Sequence, residues 1–354
     1  MNSMKQQITQ CKKIGEDLTN LLHKTSYEGL FVLTDENTNA LCLPFLAIPE
    51  IQSAKKFTIP FGDNNKTVET LVSVWKFLCD NGANRKSLLI NLGGGMLTDL
   101  GGFAAATFKR GIRFINIPTT LLGAVDAAVG GKTGINFNGL KNEVGVFAPA
   151  MAVLIDSTFF RTLDRTNLLS GYAEMLKHAL LSSEDELNRI LSFDMDNVDY
   201  ALLNDLLFES VLVKEHIVEE DPTEQGIRKA LNLGHTFGHA FESLSYQINQ
   251  PIPHGYAVAW GTVCELYLAF VQLGFSKEDL MKIAYFVKEN YGTFAFGCDQ
   301  YQSLYELMLH DKKNEKSLIN FTLLSAVGEI KINQTAGQKE ISEAFDFYRE
   351  FFGY

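Results

Sequence analysis

The stretch "LNLGHTFGHAFE", Leu231 to Glu242, sets His235 and His239 four residues apart, and "PHGYAVAWG" adds His254 shortly after. Residues at i and i+4 share a helical face, so two of these three imidazoles are candidate metal ligands. A catalytic zinc commonly takes three ligands from His, Cys or carboxylate and keeps a fourth position open. Glu174 in "SGYAEMLKHALL" is a candidate third ligand. It stands in an apolar helical run, where an unpaired carboxylate is costly to bury. Metal coordination would explain it, and so would an ion pair with Lys177 or Lys214. The HExxH pattern of zinc proteases is excluded, because no Glu follows His235 to act as base.

A second group of residues suits phosphate. "INLGGGMLTDLGGF" reads as a strand, then Gly93, Gly94 and Gly95, then a helix start. Glycine lets backbone approach a phosphate, and a helix N-terminus offers free N–H groups and the positive end of a dipole. The match to GxGxxG is incomplete, since Thr98 stands at the third glycine, and a plain strand-to-helix turn is an equal reading. Thr119 and Thr120 follow the next strand. Asp35 ends an early one, where a carboxylate could meet a ribose hydroxyl. Lys132, Lys141, Lys177, Lys214 and Arg228 recur in apolar or glycine-rich settings, where cations are rarely buried without a partner. Together they suggest a pocket for a doubly anionic ligand, a phosphate plus a carboxylate.

The elements that must position these groups come in two styles. Through about residue 165, β-rich runs ("LFVLTD", "KFTIPF", "SLLINLGGG", "FINIPTT", "AVLIDS") alternate with helical ones ("TVETLVSVWKFLCDNG", "TDLGGFAAATFKRG"). That alternation predicts a doubly wound parallel α/β domain. After Leu163 long helical spacings dominate, including "NLLSGYAEMLKHALL", "YALLNDLLFESVLVKEHIVEE", "RKALNLGHTFGHAFESL" and "GYAVAWGTVCELYLAFVQLG", with one small hairpin in "SLINFTLLSAVGEIKI". The expected division is an α/β cofactor domain over 1–165 and a mainly helical metal- and substrate-binding domain over 166–354, with the cleft between them.

Composition narrows the function classes. The chain has 354 residues, 46% of them hydrophobic, and a net charge of −11. An acidic surface argues against nucleic-acid binding, which needs many cations against phosphates. No uninterrupted apolar stretch of roughly 18–20 residues is evident, so no membrane span is expected. The start lacks an apolar signal core. Five scattered cysteines without a CxxC pair suggest reduced thiols in a cytoplasmic protein.

Seven segments, in order, carry a family resemblance: "GGGMLTDLGGFAAATFKRG", "IPTTLLGAVDAAVGGKTGIN", "LKNEVGVF", "GYAEMLKHALL", "DPTEQGIRKALNLGHTFGHAFE", "PHGYAVAWG" and "MLHDKKN". The chain resembles the 3-dehydroquinate synthases over nearly its whole length. The resemblance implies an N-terminal Rossmann-like domain and a C-terminal helical domain, similar to iron-dependent alcohol dehydrogenases. It implies that Glu174, His235 and His254 hold zinc or cobalt, with His239 as a proton-transfer group and Glu224 in an acid–base role. It assigns NAD to Asp63, Lys66, Gly95 to Asp99, Thr119, Thr120 and the segment Phe159 to Thr162, with Gly94, Lys132 and Lys141 beside them. The substrate would meet Arg110, Asp126, Lys132, Asn142, Lys177, Lys214, Arg228, Asn232, Lys312 and Lys313. Arg110 would reach a neighbouring subunit's substrate, which implies a homodimer. This chain departs from the family's usual pattern at Asp63, where Glu is common, at Ala127 and Ala128, where serines are common, and in the order of Gly139 and Leu140.

The reaction so implied takes 3-deoxy-D-arabino-heptulosonate 7-phosphate to 3-dehydroquinate and phosphate, a step of the shikimate pathway to chorismate and aromatic amino acids. It runs by transient oxidation at C5, β-elimination of phosphate, re-reduction and intramolecular aldol closure, with no net use of NAD. Lys132, Asn142 and His239 would hold the phosphate, and Arg228 with Lys214 the carboxylate. The alternatives are another sugar phosphate cyclase, a metal-dependent polyol dehydrogenase of the same fold, or a non-catalytic descendant.

Overall fold

The computed structural model describes residues 6–309 and 319–354. Lys312 and Lys313 lie outside them. The chain forms two compact units, one of residues 1–164 with 199–211, the other of 165–198 with 212–354.

The first unit contains β1 (Gln7–Gln10), β2 (Leu30–Asp35), β3 (Lys55–Ile59), β4 (Leu88–Gly93), β5 (Arg113–Pro118), a hairpin of β6 (Lys132–Phe137) and β7 (Leu140–Phe147), and β8 (Ala152–Ile155). Six of these make a sheet in the order β1-β8-β5-β4-β2-β3, with every pair parallel. The chain leaves β2 for the edge strand β3, then returns to the other side of β2 as β4. Strand order therefore reverses between β2 and β4, and ligands bind such sheets beyond the carboxyl ends at that reversal. Asp35 and Gly93 end those two strands.

All six residues of β4 are buried, as expected for a strand covered on both faces. One of them is Asn91, whose amide donates to Asn116 Oδ1 on β5 at 2.9 Å. The Gly95–Thr107 helix lies directly over this pair. A Cβ at Gly101 would fall 2.1 Å from Asn91 Oδ1. The close-packing glycine of a dinucleotide fold is thus found at Gly101 and not at position 98.

The β6–β7 hairpin was not anticipated from the sequence. Its turn residues, Asn138 (φ 55°) and Gly139 (φ 79°), both take positive φ. Asn-Gly between two β-capable runs is the strongest short-range hairpin signal, and it was there to be read.

In the second unit every residue of the Arg165–Ser182 helix from Leu168 to Leu181 is buried, Glu174, Lys177 and His178 included. Around it stand the His235–Gln247, His254–Leu273, Lys277–Tyr291, Tyr301–Leu309 and Gln338–Phe352 helices. An antiparallel pair, β9 (Ile319–Ala326) and β10 (Glu329–Ala336), completes the unit. The helix expected to run unbroken from Arg228 does not. Ile227–Asn232 is a short 3-10 turn, and Gly234 (φ 81°) interrupts the chain, so the α-helix starts at His235. A left-handed residue cannot continue a right-handed helix. The His254–Leu273 helix is long and apolar enough to cross a membrane by length and composition, yet 67% of its most apolar window is buried inside the protein. Its hydrophobicity serves the core.

Candidate active site

Three helices of the second unit bring Glu174, His235 and His254 together. Glu174 Oε1 lies 3.5 Å from His235 Nε2 and 3.6 Å from His254 Nε2, and one ligand atom from each residue falls within 4.8 Å of the others. Glu174 is fully buried, and its Oε1 has no hydrogen-bond partner. Oε2 is held by Lys177 Nζ. The carboxylate is therefore divided, one oxygen in an ion pair and the other facing two imidazole nitrogens.

Both rings have their second nitrogen engaged. His235 Nδ1 meets the Leu233 carbonyl at 3.1 Å, and His254 Nδ1 meets Glu242 Oε2 at 3.1 Å. Metal-ligating histidines are oriented in this way, through a carbonyl or carboxylate on the nitrogen that does not ligate. An orphaned buried carboxylate oxygen and two oriented Nε2 atoms, with no cysteine, fit a divalent ion such as zinc, with room for an open position. His239 sits edge-on to His235, ring centroids 5.4 Å apart, and 5.9 Å from His254. It joins the histidine cluster from the side.

Glu174 and His235 rest in the forms that ligate an ion, while His254 holds a proton that an arriving ion would displace. Burial would raise the Glu174 carboxyl, but Lys177 and the two histidines outweigh it and hold it well below its ordinary range. Burial, with Lys177 adding to it, pushes His235 well down and keeps it neutral. Burial would also lower His254, but Glu174 and Glu242 outweigh it and raise His254 to about 10.

Glu242 was missed in the sequence, although it ends the very stretch that drew attention to the histidines. It lies seven residues after His235 and so shares that helical face. Glu242→Gln is expected to weaken divalent-ion affinity by roughly 10–100-fold, measured by competition with a chelating dye. Unchanged affinity would remove Glu242 from the site.

In the same unit, Arg228 is 2% exposed and donates from Nη1 to the Pro222 carbonyl at 2.8 Å. Asn232 donates to Glu224 Oε1 at 3.1 Å, and Glu224 has positive φ (61°). Lys214 is buried at 5% exposure.

In the first unit Gly94 precedes the Gly95–Thr107 helix, and no side chain caps that helix. Its first N–H groups, at the carboxyl end of β4, suit a pyrophosphate. Thr119 N donates to the Gly93 carbonyl at 3.0 Å, which brings Thr119 and Thr120 against the glycine turn. A Cβ at Gly94 would sit 3.0 Å from the Thr120 methyl, so only glycine leaves this turn uncrowded. The arrangement fits a dinucleotide. Lys66 is buried and its ammonium is held by Asp99 and Asn142, tying three of the expected contact segments into one network. Asn136 reaches Asp63 Oδ2 at 3.2 Å. Asp35 has a local task, since its Oδ1 accepts from Thr38 N at 2.8 Å in a capping box. Phe159 is buried, Thr162 and Asp126 are half-buried, and Arg110, Lys132, Lys141 and Asn142 are exposed.

The solved 2-epi-5-epi-valiolone synthase from Streptomyces hygroscopicus subsp. jinggangensis, with NAD+ and Zn2+ bound, resembles this chain with a TM-score of 0.83 at 24% identity, over 99% of this chain and 98% of that one. An iron-containing alcohol dehydrogenase from Thermotoga maritima does so with a TM-score of 0.65 at 14% identity, over 99% of each. The fold is the one shared by sugar phosphate cyclases and iron-type alcohol dehydrogenases. Residues 56–170 match the 3-dehydroquinate synthase N-terminal family and residues 171–314 the C-terminal one. A 3-dehydroquinate synthase from Parabacteroides distasonis is 56% identical over 349 residues, 98% of this chain and 99% of its own. The chain belongs to the 3-dehydroquinate synthase family.

Proposed function

We infer that this protein converts 3-deoxy-D-arabino-heptulosonate 7-phosphate to 3-dehydroquinate and phosphate, as a carbon–oxygen lyase of the shikimate pathway. The full-length match at 56% identity carries this reading. When bound, NAD supplies a reversible hydride acceptor and zinc, or cobalt, supplies Lewis-acid polarisation of the substrate hydroxyls. The residues to hold the ion are Glu174, His235 and His254. Those to hold NAD are Gly94, Gly95, Asp99, Thr119 and Thr120, with Asp63, Lys66, Phe159 and Thr162.

The side chains divide the remaining work. Lys132, Asn142 and His239 bind the phosphate, and Arg228 with Lys214 binds the carboxylate. His239 and Glu224 move protons, with Asn232 fixing the Glu224 carboxylate. The buried cations stabilise charge where water is excluded. The protein acts in the cytoplasm as a homodimer. An apolar strip on the β6–β7 hairpin, with Phe137, Leu140, Val144, Val146 and Phe147 from 39% to 59% exposed, supports the dimer.

The test is phosphate release by chelator-treated protein, with NAD+ and zinc returned singly and together. Release only with both, and no accumulating NADH, is expected. Net NADH formation from a simple polyol, without phosphate release from the heptulosonate, would overturn the reading.

A further inference from the structure

His235 is the first residue of its helix, and its position depends on how that helix begins. The N-cap is Gly234, which has no side chain to cap with. The cap comes from another helix. Glu265, fully buried on the His254–Leu273 helix, accepts from Gly234 N through Oε2 at 2.6 Å and from Thr236 N through Oε1 at 3.0 Å. The two bonds bracket His235. They are charge-assisted, and a carboxylate at a helix N-terminus also gains from the dipole.

The helix that carries Glu265 begins with His254. One carboxylate therefore ties the backbone on both sides of one candidate ligand to the helix that presents another. The two backbones are already in contact, since a Cβ at Gly261 would lie 2.1 Å from the Gly234 carbonyl. Little slack remains for His235 to shift once Glu265 holds its neighbours.

We propose that Glu265 is a positioning residue that sets His235 against His254 and thereby raises affinity for the divalent ion. This rests on the reading of Glu174, His235 and His254 as ion ligands. In this role Glu265 acts through the backbone N–H groups on either side of His235.

Glu265→Gln keeps the shape but offers one acceptor to two N–H donors. Its cobalt(II) affinity, measured by competition with a chelating dye, is expected to fall about 10–100-fold, and the visible absorption of bound cobalt is expected to change. Glu265→Asp keeps both acceptors and should recover part of the affinity. It carries the same test if the Gln variant does not fold. Ser276→Ala removes a different cap in the same unit, where Ser276 Oγ accepts from Asp279 N at 3.2 Å. That variant should lower the thermal midpoint by a few degrees with cobalt affinity unchanged, separating lost stability from lost positioning. A folded Glu265 variant that binds cobalt as tightly as the parent would overturn the proposal. Cobalt binding that survives His235→Ala would instead overturn the ligand reading beneath it.

Discussion

Replacing His235 with alanine is expected to abolish tight divalent-ion binding and to cut turnover by at least about 10³-fold, the scale of losing several kcal/mol of charge stabilisation. The substitution removes one of the two nitrogens that face Glu174 Oε1. It leaves Lys177, which holds the other carboxylate oxygen Oε2, in place. The fold should survive, because the ring contributes one hydrogen bond to a neighbouring carbonyl, worth about 1 kcal/mol. Circular dichroism should be unchanged while calorimetric titration with zinc shows no tight site. Full activity in this variant would discard His235 as a ligand.

Gly255→Ala should be nearly as damaging by a different route. A Cβ there would lie 1.9 Å from the Ser170 carbonyl oxygen and 2.5 Å from its carbon. Both are backbone atoms, so no rotamer change relieves the clash, and the two helices must part. Gly255 N also donates to Ser170 Oγ at 3.1 Å. The contact lies next to His254 and one helical turn from Glu174, so separation there pulls two ligands apart. Overpacking of this kind costs about 3 kcal/mol or more, a fall in thermal midpoint on the order of 10 °C. A misplacement near 1 Å is expected to lower turnover about 100-fold. Gly274→Ala is the comparison. Gly274 has positive φ (74°) with nothing within 4 Å of its Cβ position, so only backbone strain of about 1–2 kcal/mol applies. Equal losses in the two variants would show that helix contact is not what matters at Gly255.

Much of this molecule can be read from residue order, and the failures have physical causes. Apolar runs such as "LLINLG" announced the parallel strands, because a strand buried on both faces has little alternative composition. Glu174 stood out as a carboxylate in an apolar helix. Glu265 in "GTVCELYLAF" met the same criterion and was passed over, because its partners are backbone N–H groups of a distant segment that no side-chain pattern reveals. The break at Gly234 was hidden for a related reason. Helical spacing continues through "KALNLGHTF", and the Glu265 cap that fixes the helix start at Gly234 comes from a distant segment. Asp35 was legible as the end of a strand, but not as a cap for the helix after it. Which nitrogen of each histidine faces Glu174 depends on Leu233 and Glu242, and so on a folded geometry.

The amide pair inside the sheet bears on folding fidelity. Between Arg113 at the start of β5 and the Gly93–Pro118 pair at the far end, β4 and β5 are otherwise aliphatic and aromatic, with Leu88, Leu89, Ile90 and Leu92 beside Phe114, Ile115 and Ile117. Such strands would bury similar apolar area in several alignments. Only with Asn91 opposite Asn116 does each amide meet the other. Sliding one strand by two residues would keep the faces but strand both amides among hydrocarbon, at about 1–3 kcal/mol each. The pair thus acts as an alignment key during assembly, selecting the register that brings the glycine turn and the Thr119–Thr120 loop to the same end of the sheet.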